Sequence, residues 1–195
     1  PAGARAPWAL LAIGWCHEAA GRLPEAITAW TRLIDAAPDS SAVDAALLAR
    51  GDARYRSGDF PAGLDDAKQF VGSPRQRDTN PSATAEARML EGLCLVGLKR
   101  YADAVTVFRR VLEEQPLFAS TDRVAFEMGV AQLLDGKRAE AEKTFQTVVT
   151  RFPQSNRTAD AWFEIGEARF EAEAWDDAAT AYTNVITAAG DAPAA

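Results

Sequence analysis

Residues 122–153 read DRVAFEMGVAQLLDGKRAEAEKTFQTVVTRFP, a stretch that predicts two short helices folded back on each other. Apolar residues recur at helical spacing in both halves, and Asp135-Gly136-Lys137 is typical of a turn between them. Pro153 follows the second half and predicts its end. Gly129 lies inside the first helix, where glycine costs about 1 kcal/mol relative to alanine. This cost indicates that a second backbone passes close to Gly129.

The same pattern recurs along the chain in register. The first column of the repeat, with spacings of 37, 41, 37 and 37 residues, holds Gly14, Gly51, Gly92, Gly129 and Gly166. The column 12 residues after each glycine holds Ala26, Gly63, Ala104, Ala141 and Ala178. The column 16 residues after it holds Trp30, Ala67, Phe108, Phe145 and Tyr182. The column 24 residues after it holds Pro38, Arg75 (beside Pro74), Pro116, Pro153 and Gly190.

This order of glycine, small residue, aromatic and proline resembles the tetratricopeptide repeat (TPR) family. The resemblance implies an all-α, right-handed superhelical solenoid of about five antiparallel helical hairpins. We expect a single array over residues 1–195, with repeats at about 5–40, 41–75, 83–118, 120–155 and 157–190 and a polar hinge at 72–83. The expected helices run over 6–20, 24–36, 41–57, 60–71, 83–98, 100–114, 121–135, 137–151, 157–172 and 175–188, followed by a frayed tail at 191–195.

The repeat departs from the family pattern in two ways. Its period is 37 residues instead of the 34 typical of the family, and the extra residues follow the proline, as in Pro153-Gln154-Ser155. That linker resembles the repeats of bacterial cell-envelope proteins, which implies a periplasmic or envelope location. The second repeat has Gly63 and Ala67 in place of the small residue and aromatic, so we expect it to pack most loosely.

Charge and hydropathy narrow the classes of partner. The net charge of −7 argues against nucleic acid, which requires clustered Lys and Arg. No apolar run approaches the roughly 20 residues of a membrane span. The chain opens at Pro1 without an initiator Met or a signal peptide, so we expect a fragment or a processed form.

No residue pattern predicts catalysis, a metal site or a cofactor. His17-Glu18 begins like a zinc-binding helix, but Gly21 stands where the second His is needed. The paired carboxylates Asp65-Asp66 and Asp176-Asp177 fall early in second helices, where they complement the helix dipole.

Cys16 and Cys94 each follow a repeat glycine by two residues, two repeats apart. We expect both to be buried small hydrophobes and not to form a disulfide.

The resemblance places the inner wall of the array on the first helix of each repeat. The matching positions lie three residues before, one after and four after the repeat glycine. Twelve of these fifteen positions are apolar or aromatic, which is typical of an interaction surface. The predicted partner-binding groove comprises Leu11, Trp15, Leu48, Tyr55, Met89, Leu93, Val96, Phe126, Val130, Leu133, Phe163 and Phe170.

The predicted function is a non-catalytic protein-binding scaffold that holds an apolar or amphipathic segment in this groove, with Trp15, Tyr55, Phe126 and Phe170 as anchors. Alternatively, the wall residues contact one another or are covered by another part of a longer protein. The repeats then form a docking or oligomerisation module of a multi-domain protein, or a cell-envelope assembly factor.

The ends of the array form a separate candidate surface. No predicted helix comes before the first one, which carries Trp8 and Leu10, to cap it. Only Gly190 and a short tail follow the last predicted helix. We expect Trp175, Ala178, Tyr182 and Val185 to be partly open, so that the array continues into further repeats or self-associates end to end.

Overall fold

The computed structural model describes residues 5–73 and 80–190, so half of the predicted hinge, residues 74–79, and the predicted frayed tail lie outside the described residues. The described residues form ten α-helices and no strand. The helices are α1 (Ala6–Ala19), α2 (Leu23–Ala36), α3 (Ala42–Arg56), α4 (Phe60–Gly72), α5 (Pro81–Gly97), α6 (Tyr101–Glu114), α7 (Thr121–Leu134), α8 (Arg138–Arg151), α9 (Thr158–Glu171) and α10 (Trp175–Gly190). The all-α prediction is confirmed, and every helix end falls within two residues of its predicted position.

Local sequence explains where these helices begin and end. Gly21, Gly58 and Gly136 turn the chain between paired helices at positive φ values of 73°, 80° and 78°. A proline lies in the first turn of α2, α4 and α5, where its missing N–H costs no helical hydrogen bond. The Asn80 side chain accepts a hydrogen bond from the Ala83 N–H at 3.1 Å and so caps α5.

The chain divides into two compact units. The first, residues 1–100, contains α1–α5, and the second, residues 101–195, contains α6–α10. Within the first unit α1 pairs with α2 and α3 with α4, and within the second α7 pairs with α8 and α9 with α10. We call these pairs hairpins one, two, four and five. The second helix of a pair also packs on the next first helix, as α2 does on α3 and α8 on α9.

An aromatic ring lies directly on the repeat glycine in hairpins one, four and five. A Cβ atom at Gly14 would lie 2.1 Å from Nε1 of Trp30, and one at Gly129 would lie 2.6 Å from the Phe145 ring. The Tyr182 ring covers Gly166 at the same 2.6 Å. The expected close approach at Gly129 is therefore present, but its neighbour is an aromatic side chain and not a second backbone.

Hairpin two, which lacks this aromatic, brings its two backbones together instead. A Cβ atom at Gly63 would lie 3.1 Å from the carbonyl oxygen of Gly51, and Ala67 is fully buried. The loose packing predicted for this hairpin is not seen at the crossing of α3 and α4, where two facing glycines let the backbones come into contact.

The close approach in hairpin two encloses an ion-pair network. The Asp66 carboxylate is fully buried and accepts hydrogen bonds from Nη2 and Nε of Arg50 at 2.6 and 3.0 Å. Nη1 of Arg54 donates to the same carboxylate at 2.7 Å. Nη1 of Arg50 also donates to Oγ1 of Thr31 at 3.0 Å, which ties α3 to α2. The network around Asp66 and Arg50 therefore joins α2, α3 and α4.

The helix-dipole interpretation holds for one carboxylate pair and fails for the other. Asp176 and Asp177 lie in the first turn of α10, as predicted. Asp66 lies in the middle of α4 and serves as the acceptor for two arginines, while Asp65 beside it is exposed. The sequence pattern alone did not distinguish these two arrangements.

The two cysteines also differ. Cys94 is buried, as predicted, and burial raises the pKa of its thiol to about 12, with the nearby Asp52 and Asp66 charges adding to the effect. The prediction of burial is wrong for Cys16, which is exposed on α1. Neither cysteine forms a disulfide.

Replacing Asp66 tests the ion-pair network. Asp66→Ala leaves two arginines without their acceptor, so we expect the free energy of unfolding to fall by about 3–5 kcal/mol. Chemical denaturation followed by circular dichroism measures the change. The exposed neighbour provides the control, because Asp65→Ala should change stability by less than about 0.5 kcal/mol. Equal effects at the two positions would contradict this account.

Replacing Gly129 tests the contact between ring and glycine. Gly129→Ala should destabilise the protein by about 1–2 kcal/mol, since overpacking against Phe145 outweighs the roughly 1 kcal/mol that alanine adds to a helix. Gly72→Ala is the matched control, because a Cβ there meets no atom within 4 Å. Thermal unfolding compares the two, and equal melting temperatures would show that the Phe145 ring is not held against Gly129.

Candidate protein-binding surface

The first unit holds seven of the predicted groove residues, and they differ in exposure. Trp15 on α1 is 47% exposed. Leu11 and Leu93 are buried, so their side chains belong to the core of this unit. The half-buried remainder comprises Leu48, Tyr55, Met89 and Val96. Of these, Tyr55 packs against Phe60 in a tilted arrangement with ring centroids 5.8 Å apart.

The second unit holds the other five. Phe163 and Phe170 on α9 are 48% and 53% exposed, and Val130 and Leu133 on α7 are half-buried. Phe126, predicted as an anchor, is buried instead. Its ring packs against Phe145 at 5.4 Å between centroids, and the guanidinium of Arg157 covers it at 5.5 Å. Phe126 is therefore part of the hydrophobic core around Phe145 in this structure.

The two exposed phenylalanines are held in place by α10. Phe163 and Phe170 are seven residues apart, so they lie on one face of α9. The Phe163 ring packs on Tyr182 at 5.9 Å between centroids, and the Phe170 ring meets the edge of Trp175 at 4.9 Å. We call these four residues the α9 aromatic surface. Each exposed phenylalanine of α9 therefore packs against an aromatic side chain of α10.

Carboxylates accompany these rings on α9. The Tyr182 hydroxyl donates a hydrogen bond to Oε1 of Glu167 at 2.6 Å, which raises the pKa of the tyrosine. Partial burial, reinforced by the charges of Glu167 and Asp160, raises the pKa of Glu164. In the described part of the chain, no Lys, Arg or His pairs with Glu164.

A second carboxylate with a raised pKa lies on α7. Burial raises the pKa of Glu127, although the nearby Arg123 and Arg157 oppose the shift. Burial therefore raises the pKa of one carboxylate on each of α7 and α9, the two first helices of this unit. No pattern in the sequence identified this, because the shifts depend on burial and on neighbours that only the fold defines.

Most of the residues that were expected to be open on the first and last helices are exposed or half-buried. Trp8 and Trp175 are exposed, and Leu10, Tyr182 and Val185 are half-buried. The prediction is wrong for Ala178, which is buried in hairpin five. Ile186 on α10 was not predicted and is 75% exposed. Its position 20 residues after Gly166, where every repeat has an aliphatic residue, is the signal that could have identified it.

Within residues 5–73 and 80–190, no group of three or more His, Cys, Asp or Glu side chains is arranged to hold a metal ion. None of the described helices has the length and apolar character needed to cross a membrane. A cavity of about 440 Å³ lies between the loops at 116–119 and 152–155.

Comparisons with known proteins agree with this architecture. Two family models described as tetratricopeptide repeat match the sequence, one over residues 8–40 and the other over residues 48–117 and 126–193. A search of curated proteins gave no match.

Several solved structures share the fold at low sequence identity. A MamA structure is 17% identical with a TM-score of 0.77, covering 98% of each chain. MamA residues 41 to the end from Desulfovibrio magneticus RS-1 are 17% identical with a TM-score of 0.78, covering 96% of this chain and 97% of that one. YrrB, described as a TPR protein with an unusual peptide-binding site, is 18% identical with a TM-score of 0.69, covering 93% of this chain and 86% of that one.

The raised pKa of Glu164 predicts a pH-dependent effect on stability. A carboxylate whose folded pKa exceeds its ordinary value of 4.5 destabilises the fold while it is ionised, and this penalty disappears as the pH falls. Glu164→Gln should therefore raise the melting temperature at pH 7 and leave it unchanged below pH 4.5. The exposed Glu113→Gln removes the same charge elsewhere, and its effect should be smaller at pH 7. A Glu164→Gln protein that is less stable at pH 7 would contradict the shift.

Proposed function

This chain belongs to the tetratricopeptide repeat family, and we propose that it is a non-catalytic scaffold that binds a basic amphipathic segment of another protein. The segment places its apolar side on the α9 aromatic surface and its Lys or Arg side chains near the carboxylates of α7 and α9. The observation that carries the proposal is the pair Phe163 and Phe170, both about half-exposed on one helix face.

The apolar contribution comes from these two rings. Fully burying an exposed phenylalanine stabilises a complex by about 1.5–3 kcal/mol. Tyr182 and Trp175 already fix the rings, so little side-chain entropy is lost on binding. Anchors of this kind favour a partner helix or strand with apolar residues on one side.

The charge of the partner follows from the carboxylates. Glu164 and Glu127 have raised pKa values, so the free protein destabilises their ionised forms relative to water. A Lys or Arg from a partner would stabilise those ionised forms and complement the net charge of −7. An acidic segment, or nucleic acid, would meet repulsion at the same place.

The titratable groups also favour binding over catalysis. A nucleophilic cysteine needs a lowered pKa, and the Cys94 thiol has its pKa raised to about 12 inside the core. Glu164 directly follows the anchor Phe163 in α9, and Glu167 contacts Tyr182 of the aromatic surface, which suits recognition of a cation. In the first unit, the exposed Trp15 and the half-buried Leu48, Tyr55, Met89 and Val96 remain candidate contacts for the same or another segment.

A designed peptide tests the proposal directly. The probe is a fluorescein-labelled Leu/Lys amphipathic helix of about 18 residues, or five turns, compared with a Leu/Glu peptide of the same pattern and a scrambled Leu/Lys peptide. Fluorescence anisotropy should detect binding of the first peptide and much weaker binding of the other two. Equal binding of all three would show that the recognition is not amphipathic and basic.

Variants locate the contact. The double variant Phe163→Ala/Phe170→Ala should weaken binding more than tenfold, since truncating two anchors removes well over 1.4 kcal/mol. Leu117→Ala is the control, because Leu117 is a 97% exposed apolar residue in the loop between α6 and α7. Glu164→Gln should reduce affinity for the Lys peptide by a few-fold. Unchanged binding by the double phenylalanine variant would refute the proposed site.

A further inference from the structure

A carboxylate lies one helical turn from the exposed ring of Phe163. Glu167 follows Phe163 by four residues, so both side chains lie on one face of α9. A rise of about 1.5 Å per residue separates them by about 6 Å along the helix axis. A group that binds this carboxylate is therefore close enough to contact the ring as well.

Tyr182 of α10 holds the carboxylate on the Phe163 side. The Tyr182 ring packs on Phe163 at 5.9 Å between centroids, with the two planes 56° apart. The Tyr182 hydroxyl donates to Oε1 of Glu167 at 2.6 Å. Because one tyrosine contacts both groups, ring and carboxylate form a single cluster.

The other oxygen of Glu167 is available to a partner. In the part of the chain that the structure describes, Oε2 of Glu167 has no hydrogen-bond donor and no Lys, Arg or His forms an ion pair with this residue. The charge of Glu167 helps to raise the pKa of Glu164, so the two carboxylates lie within electrostatic reach of each other. Arg169 supplies the positive charge within α9, and Glu142 of α8 accepts from it at 3.1 Å. The charge on this face therefore favours a cation.

Hairpin four shows which cation covers the equivalent ring. Phe126 and Phe163 both lie three residues before the repeat glycine. The Arg157 guanidinium lies over the Phe126 ring at 5.5 Å, and its charge also acts on the neighbouring Glu127. The residue 37 positions after Arg157 is Ala194, so the repeat pattern supplies no arginine for Phe163. The fold thus already contains the combination of this ring, a glutamate and a guanidinium.

Arginine suits the cluster better than lysine does. A guanidinium is planar and weakly hydrated, so it stacks on a ring while its N–H edge donates to a carboxylate. A lysine ammonium is compact and strongly hydrated, and a ring that is 48% exposed does not remove that water. Arg151 lies over Phe152 at 5.4 Å, a second contact of the same kind within this unit.

We propose that the α9 aromatic surface recognises an arginine of the bound segment, whose guanidinium stacks on Phe163 and donates to Oε2 of Glu167. This inference rests on the proposed function, because it names the basic residue that the segment places there. Phe170 has an aromatic neighbour in Trp175 but no carboxylate bonded to that neighbour, so it takes an apolar residue of the segment.

Two labelled peptides test the preference on the 195-residue chain. They are the Leu/Lys helix described above and the same helix with every Lys replaced by Arg, compared by fluorescence anisotropy. The Arg peptide should bind about two- to fivefold more tightly, the range of an exposed cation–π contact. Equal affinities would overturn the arginine inference and leave the proposed scaffold intact. If neither peptide bound, the proposed function would be refuted and this inference with it.

A matched pair of phenylalanine variants locates the contact. Phe163→Leu keeps an apolar side chain and removes the ring, so the two peptides should bind with nearly equal affinity. Phe170→Leu makes the same change on the other side of Glu167 and should weaken both peptides by a similar factor, which preserves the preference. Circular dichroism checks that both variants fold. A preference that survives Phe163→Leu, or that disappears in both variants, would place the arginine elsewhere and overturn the proposal.

Glu167→Gln tests the carboxylate. Glutamine still accepts a hydrogen bond from Tyr182, so the ring pair keeps its support while the charge is lost. The affinity for the Arg peptide should fall several-fold and by more than that for the Lys peptide. Glu113→Gln removes the same charge from an exposed position on α6 and should leave the preference unchanged. A Glu167→Gln protein with the wild-type preference would contradict the proposed contact.

Discussion

The packing of an aromatic ring on a bare glycine is the contact on which three of the described hairpins depend. Glycine inside a helix costs about 1 kcal/mol, while burying a large aromatic side chain stabilises the fold by about 1.5–3 kcal/mol. Trp30 is fully buried over Gly14, and its indole N–H donates to the carbonyl oxygen of Leu11 at 3.2 Å. Because glycine has no Cβ, the ring of the second helix packs directly on the backbone of the first. The glycine and the ring recur together, and the hairpin recurs with them.

Hairpin two reaches the same compactness by a different route. Gly63 replaces the small side chain opposite Gly51, so the helices approach through their backbones, and Asp66 holds Arg50 and Arg54 in the space beside them. Apolar packing tolerates small shifts because dispersion is non-directional, whereas a bidentate carboxylate–guanidinium pair requires one geometry. Arg50 extends that geometry to Thr31 of the preceding helix.

The sequence predicted the helices and the glycine column well because both depend on local information, namely helical periodicity, turn residues and a fixed repeat length. The wrong predictions have two causes that a repeat pattern does not reveal. One is polar pairing across helices, because Asp66 pairs with arginines where the pattern indicates a helix-dipole role. The other is the position of a residue's repeat within the array. Cys16 and Cys94 are equivalent in sequence, but only Cys94 has a preceding helix packed over it. Phe126 and Phe163 are equivalent too, but Arg157 from the next hairpin covers Phe126.

The ion-pair network of hairpin two also bears on how such a chain can evolve. Repeat proteins grow and shorten when the gene duplicates or deletes whole repeats, and this succeeds when each copy fits any neighbour. Hairpins four and five depart from this condition through the pair of Arg169 with Glu142. Hairpin two departs from it further, because Arg50 bonds both Asp66 in its own hairpin and Thr31 in the hairpin before it. Recombination that separated the first two repeats would leave Arg50 without its Thr31 acceptor, so selection should keep these two repeats together.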